Sequence, residues 1–156
     1  MELPDINVLI YAHREDAREH DRYAAWLRRL AAGPEPFALS SFTLGGFLRI
    51  VTNPRIFDPA TPMEVAISFC EKLLERSQAV LIQPSRRHWS ILVELLRRTE
   101  IRGAGVSDAH LAALAIEHGC ELVTSAGDFA RFPDLRWRHP LAARPAGPEG
   151  RVLPTT

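Results

Sequence analysis

Cysteine is scarce in this chain. Cys70 and Cys120 are the only two in 156 residues and show no CxxC spacing. That argues against a disulfide scaffold or a thiolate metal site and leaves buried thiols in a reducing compartment. No apolar run approaches the ~20 residues of a membrane span, and no charged-then-apolar leader precedes the first apolar segment. A cytoplasmic protein without a membrane anchor is the expectation. Lysine is nearly missing too: Lys72 stands alone, arginine supplies 18 of the 19 basic side chains, and 19 acidic ones cancel them. A chain without net charge has no overall field to draw in nucleic acid. Arginine suits bidentate phosphate contacts, although a genome-wide bias toward arginine and alanine explains the same count. There is no internal repeat. No phosphate-cradling glycine loop or nucleophile elbow follows any apolar run, which weighs against an unrelated α/β phosphohydrolase.

What is present is an alternation of short apolar runs with helical stripes, in a length that suits one domain. The clearest unit is residues 105–129, GVSDAHLAALAIEHGCELVTSAGDF. Ser107 reads as a helix N-cap, Leu111, Leu114, Ala115 and His118 follow at helical spacing, and Gly119 is the expected glycine stop. ELVT then reads as a short buried strand, ending in a polar turn at Asp128-Phe129. At the start, residues 2–5 suffice for a very short strand. NVLIYAH fits either a strand or a buried helix, with Asn7 as N-cap favouring the helix. A helix over about residues 18–32 carries the stripe His20, Tyr23, Trp26, Leu27 and Leu30, and FALS reads as a strand.

The next helix, SFTLGGFLRIV, contains Gly45 and Gly46, each unfavourable by roughly 1 kcal/mol against alanine. Such a pair requires close packing or a site that a longer side chain would block. Thr61-Pro62-Met63-Glu64 reads as a capping box opening a helix over 62–77. AVLIQ reads as a buried strand, Ser85 as the cap of a helix with Trp89, Leu92, Leu95 and Leu96 facing inward, and 135–138 as an edge strand. From about Ala142 the chain has no periodicity, so the expectation is a domain over 1–141 and a flexible tail over 142–156. Strands alternating with helices predict a three-layer α/β fold around a short-stranded, mostly parallel sheet.

In such a sheet the carboxyl ends of strands and the amino ends of helices share one rim. Asp5, Asp108 and Asp128 would all fall there. Each has an ordinary role available: Asp5 as a helix cap, Asp108 on a helix dipole, Asp128 in a turn. Their shared position says more. Carboxylates within about 4 Å repel by roughly 4 kcal/mol at an effective dielectric of 20. A cluster of that kind persists when a hard cation such as Mg²⁺ or Mn²⁺ neutralises it.

Three blocks in order, PDINVLIYAH, GFLRIVTNPRIF and SDAHLAALAIEHGCELVTSAGDFARFPDLRW, resemble the PIN-domain ribonucleases, and among them the VapC toxins of bacterial toxin–antitoxin pairs. The resemblance spans about residues 2–140. It implies a PIN-like fold, with Asp5 ending the first strand and NVLIYAH as the first helix. It also implies an acidic cluster that binds Mg²⁺ or Mn²⁺ and hydrolyses RNA. Asp5 and Asp108 match the family's metal-binding aspartates, and Asp128 is the candidate third acid; all three are the expected catalytic and metal residues. The implied partners are a VapB-type antitoxin, an RNA substrate such as tRNA, and a second copy of the chain in a homodimer. Arg14, Arg49 and Arg55 are candidate RNA contacts. Two positions depart from the pattern. Gly46 stands where many members have glutamate, although subfamilies of this TNPR type often carry glycine there. Ala126 stands where T-x-D-x-D-F has its first aspartate. Fewer acids imply weaker metal binding, and the alternative function is a weakened domain that holds antitoxin or RNA without cutting.

Overall fold

Five short parallel strands carry the architecture. In the computed structural model, which describes residues 1–143, they are β1 (Glu2–Pro4), β2 (Phe37–Ser40), β3 (Ala79–Ile82), β4 (Glu121–Val123) and β5 (Trp137–Arg138). The expected tail lies, from residue 144 onward, outside the described residues. Strand order is β3-β2-β1-β4-β5 and every pairing is parallel. Pro4 sits in the central strand at a position where its missing donor does no harm: it is the last residue, and Asp5 N donates to Val123 O at 2.9 Å instead.

Among the described residues six α-helices cover the sheet: α1 (Ile6–His13), α2 (His20–Ala32), α3 (Ser41–Val51), α4 (Met63–Leu74), α5 (Arg86–Thr99) and α6 (Gly105–Glu117). The three central strands β1, β2 and β4 are largely buried on both faces and divide their side chains by the two-residue period. Phe37, Leu39 and Val123 enter one core with Leu9, Trp26, Leu27, Phe47 and Leu73 of α1 to α4. Leu3, Ala38 and Leu122 enter the other, with Leu92, Leu95, Leu111 and Leu114 of α5 and α6. The result is the three-layer α/β fold. Among the described residues no helix is long and apolar enough to cross a membrane. Both cysteines are free and buried, and burial pushes the Cys70 thiol up to about 11.

Several local expectations shift. The N-cap of α1 is Asp5, whose Oδ1 accepts from Ile6 N at 2.7 Å; Asn7 is drawn to Thr124 instead. Helix α6 starts at Gly105, so Ser107 lies inside its first turn and caps nothing; the cap residue is Ala104, with no side-chain bond. Thr61 makes no capping box because its hydroxyl is taken by Arg14 Nη1 and His13 Nε2. Trp89 is 67% exposed, and His88, one position earlier, fills the inward place in α5. Among the described residues strand β3 is an edge with only β2 beside it, and Val80 and Leu81 are exposed rather than buried. Gly119 does close α6 with φ +64, the left-handed conformation that favours glycine.

Candidate metal centre

Strand β1 ends one residue before Asp5 and so delivers that side chain to the rim, where a small polar network fixes it. Asp5 Oδ2 accepts from Thr124 Oγ1 at 2.7 Å and from Asn7 Nδ2 at 2.9 Å. Asn7 Nδ2 also reaches Thr124 Oγ1 at 3.1 Å, while Asn7 Oδ1 accepts from Ser125 N at 3.2 Å. Thr124 Oγ1 accepts in turn from Ala126 N at 3.0 Å. The end of β1, the start of α1 and the loop after β4 are thereby tied into one unit. Asp5 is only 6% exposed. Burial raises its carboxyl above the ordinary carboxylate value, the Thr124, Ile6 and Asn7 donors pull it back in part, and the charge of Asp108 raises it further.

Asp108 enters from the first turn of α6, where the helix dipole favours an anion. Its Oδ2 accepts from Arg131 Nη2 at 2.7 Å. Burial raises its carboxyl, Arg131 lowers it, and Asp128 raises it again, with a net upward shift. Asp128 is exposed on the short 3-10 turn Gly127–Arg131 that follows β4. The charge of Asp108 is felt at Asp5 and that of Asp128 at Asp108, each raising its neighbour's carboxyl.

The three acids do not form a closed cage. Among the described residues no three or more Asp, Glu, His or Cys side chains converge as a metal-holding group. The donor set suits a particular kind of ion nonetheless. Mg²⁺ keeps several waters and is commonly held by one or two carboxylates plus substrate phosphates, and an open pair of hard oxygen donors such as Asp5 and Asp108 fits that mode.

The two departures from the acidic pattern have local causes. A Cβ on Gly46 would meet the far end of the Ile6 side chain, at its Cδ1, so a longer residue there requires Ile6, beside Asp5, to change rotamer. This explains one member of the glycine pair; Gly45 has open space around it. Ala126 packs its methyl against the α5–α6 core and leaves the polar work to its backbone N–H.

The candidate RNA contacts separate. Arg14 is buried and committed: Nε and Nη2 grip the two Asp16 oxygens at 2.8 and 2.6 Å, and Nη1 reaches Pro59 O at 2.9 Å. Its guanidinium also lies 4.2 Å from the Phe57 ring centroid. Arg14 is a clamp between the end of α1 and the loop before α4, not a phosphate contact. Arg49 and Arg55 are exposed, at the end of α3 and just beyond it. Three residues of the site escaped the sequence reading: Asn7, Thr124 and Arg131. Their signals were spacings, Asn7 two after Asp5, Thr124 two before the missing acid, and Arg131 three after Asp128.

The PIN domain family model matches residues 3–135. The chain belongs to the PIN-domain family. Among its relatives, ribonuclease VapC43 of Mycobacterium tuberculosis is 43% identical over 137 residues, covering 88% of this chain and 93% of that protein. Ribonuclease VapC25 of the same organism is 36% identical over 140 residues, 90% and 99% of the two chains. Among solved structures, VapBC2 from Rickettsia felis, bound to a DNA fragment from its promoter, aligns with a TM-score of 0.66. It is 25% identical and covers 88% of this PIN domain and 97% of its own chain. The sarcin-ricin loop cleaving toxin VapC20 of M. tuberculosis aligns with a TM-score of 0.63 at 17% identity, over 87% and 99% of the chains, a likeness of fold.

Proposed function

We propose that this PIN domain is a metal-dependent endoribonuclease, the toxin of a type II toxin–antitoxin pair. The observation that carries the reading is the Asp5–Asp108 pair, set at the strand-end rim of a chain 43% identical to a VapC ribonuclease. That intact pair favours a cutting enzyme over a weakened binding module.

Asp5 and Asp108 would hold Mg²⁺ or Mn²⁺, with Asp128 reaching in from the 3-10 turn. When bound, such a cation polarises the scissile phosphate and lowers the pKa of a water that attacks it. The protein's own part is orientation. Asn7 and Thr124 donate to Asp5 Oδ2 and Ile6 N to Oδ1, so the carboxylate is held in one pose before any ligand arrives. Burial of the Asp5 carboxylate, with the Asp108 charge adding to it, burdens the metal-free protein, and a bound cation would relieve that burden. Single-stranded loops of a structured RNA such as tRNA present a reachable backbone, and exposed Arg49 and Arg55 offer phosphate contacts beyond the centre.

Purified protein incubated with total RNA should release fragments with defined ends in Mg²⁺ or Mn²⁺ and none in excess chelator, read by sequencing the RNA ends. Fragments that persist in chelator, or a complete absence of fragments, would sink the proposal. The partners proposed are a VapB-type antitoxin, as in the VapBC complexes this fold matches, and a second copy of the chain. Exposed apolar side chains support assembly, among them Trp89, Leu81 and Val80. Light scattering at micromolar concentration should give the mass of a dimer; a strict monomer would count against the homodimer.

A further inference from the structure

Arg131 occupies the carboxylate that the centre depends on. It ends the 3-10 turn three residues after Asp128, and its Nη2 donates to Asp108 Oδ2 at 2.7 Å. Its guanidinium is held from two other sides. The Cζ atom lies 5.1 Å from the Phe132 ring centroid, and the fork packs against Gly105 in the first turn of α6, where a Cβ would stand 3.4 Å from Nη2. The pair is not locked in the interior: the Arg131 side chain is 38% exposed and that of Asp108 41%. An ion pair this open to water is weak and reversible.

A divalent cation on Asp108 and a guanidinium on the same carboxylate would repel each other at short range. We propose that Arg131 is a displaceable counter-ion of the metal centre, neutralising Asp108 while no divalent cation is bound and leaving Oδ2 when one binds. The inference rests on the metal-dependent reading above and adds a residue to it. It also bears on the acids this chain lacks. With glycine at 46 and alanine at 126, few negative charges remain, and Arg131 offsets one of them. Affinity for the ion is then set as much by the departure of a cation as by the number of carboxylates. The released fork stays tethered at the rim, where a phosphate oxygen is its natural acceptor, since arginine binds planar oxyanions bidentately. Arg131 is thus a positioning residue whose two partners, Asp108 and substrate phosphate, alternate.

The test is Mn²⁺ binding by the full-length protein, followed by electron paramagnetic resonance without RNA, in the parent, R131Q, R131K and D108N. R131Q removes the charge and should tighten Mn²⁺ binding by up to about fivefold, the size of effect a single solvent-exposed charge produces. R131K keeps a cation beside Asp108 and should stay within about threefold of the parent, because the effect is one of charge rather than of shape. D108N should lose binding. If R131Q binds no more tightly than the parent while D108N loses binding, Arg131 is not a competitor, and the metal centre stands without it. If R131K tightens as much as R131Q, charge is not the cause and the counter-ion role falls. If neither the parent nor R131Q binds Mn²⁺ saturably, the metal-dependent reading falls and this inference with it.

Discussion

Asp108→Asn is expected to abolish metal-dependent RNA cleavage, a loss of at least about 10³-fold, while the fold stays in place. The size follows from what a cation supplies to phosphoryl chemistry, several kcal/mol, at about 1.4 kcal/mol per factor of ten. Asparagine keeps the shape of the side chain and one oxygen but removes the charge that holds the ion. The fold should survive because Asp108 is half exposed in the first turn of α6, whose packing rests on Ala109, Leu111, Ala112 and Leu114.

Stability without metal should rise slightly in the same variant. Asp108 and Asp5 both have carboxyls raised above the ordinary value in the folded protein, burial being the main cause. The folded state then binds protons more readily than the unfolded one, so metal-free stability increases as pH falls through the folded pKa values and levels off below the unfolded value near 3.8. An asparagine in place of Asp108 would remove that residue's share of the slope and of the penalty at neutral pH. Lost pairing with Arg131 offsets part of the gain, but an exposed pair contributes only ~0–1 kcal/mol. Single-turnover cleavage and thermal unfolding at pH 5 and 7.5 read both effects. Cleavage equal to that of the parent would place the chemistry elsewhere.

Much of the fold was legible because period and punctuation agree. Residues 18–32, the stripe through Leu44 and Phe47, and the run from Leu111 to Gly119 each combine helical spacing with a terminus signal, and each is a helix. Three of the errors share a cause: a side chain whose partner comes from far along the chain. Thr61 resembles a cap until Arg14 and His13 take its hydroxyl. Asn7 resembles a cap until Thr124, 117 residues away in sequence, engages its amide. Trp89 and His88 lie next to each other on α5, and only the backbone carbonyl of His110 on α6, which His88 Nε2 meets at 3.0 Å, makes the histidine the buried one. The same limit applied to the site. The placement of Asp5 and Asp108 at one rim was readable because parallel topology alone sends strand ends and helix starts there. Arg131 was not, since its spacing three after Asp128 does not say that its side chain turns back to Asp108.

The structure also bears on the acid missing at position 126. Ala126→Asp is expected to tighten Mn²⁺ binding by about tenfold and to raise cleavage with it, on the basis that each added carboxylate strengthens a hard-cation site. The parent should cut weakly in Mg²⁺ and better in Mn²⁺, because Mg²⁺ gives up its waters reluctantly and tolerates a thin ligand set poorly. The backbone can accept the change. Ala126 has φ −90 and ψ 111 and stands as the N-cap of the 3-10 turn, where aspartate is a favoured residue, and its bond to Thr124 Oγ1 is made by the main chain. Against this stands the methyl group, which packs on the α5–α6 core and would be exchanged for a charge. The competing account is that Asp128, whose charge is already felt by Asp108, serves as the third ligand from two residues further on. Titrating Mn²⁺ into parent, A126D and D128N separates the two. A gain in A126D with little loss in D128N assigns the vacant role to position 126. If A126D changes neither Mn²⁺ affinity nor cleavage while D128N lowers both, the acid at 126 was never needed and Asp128 is the third ligand.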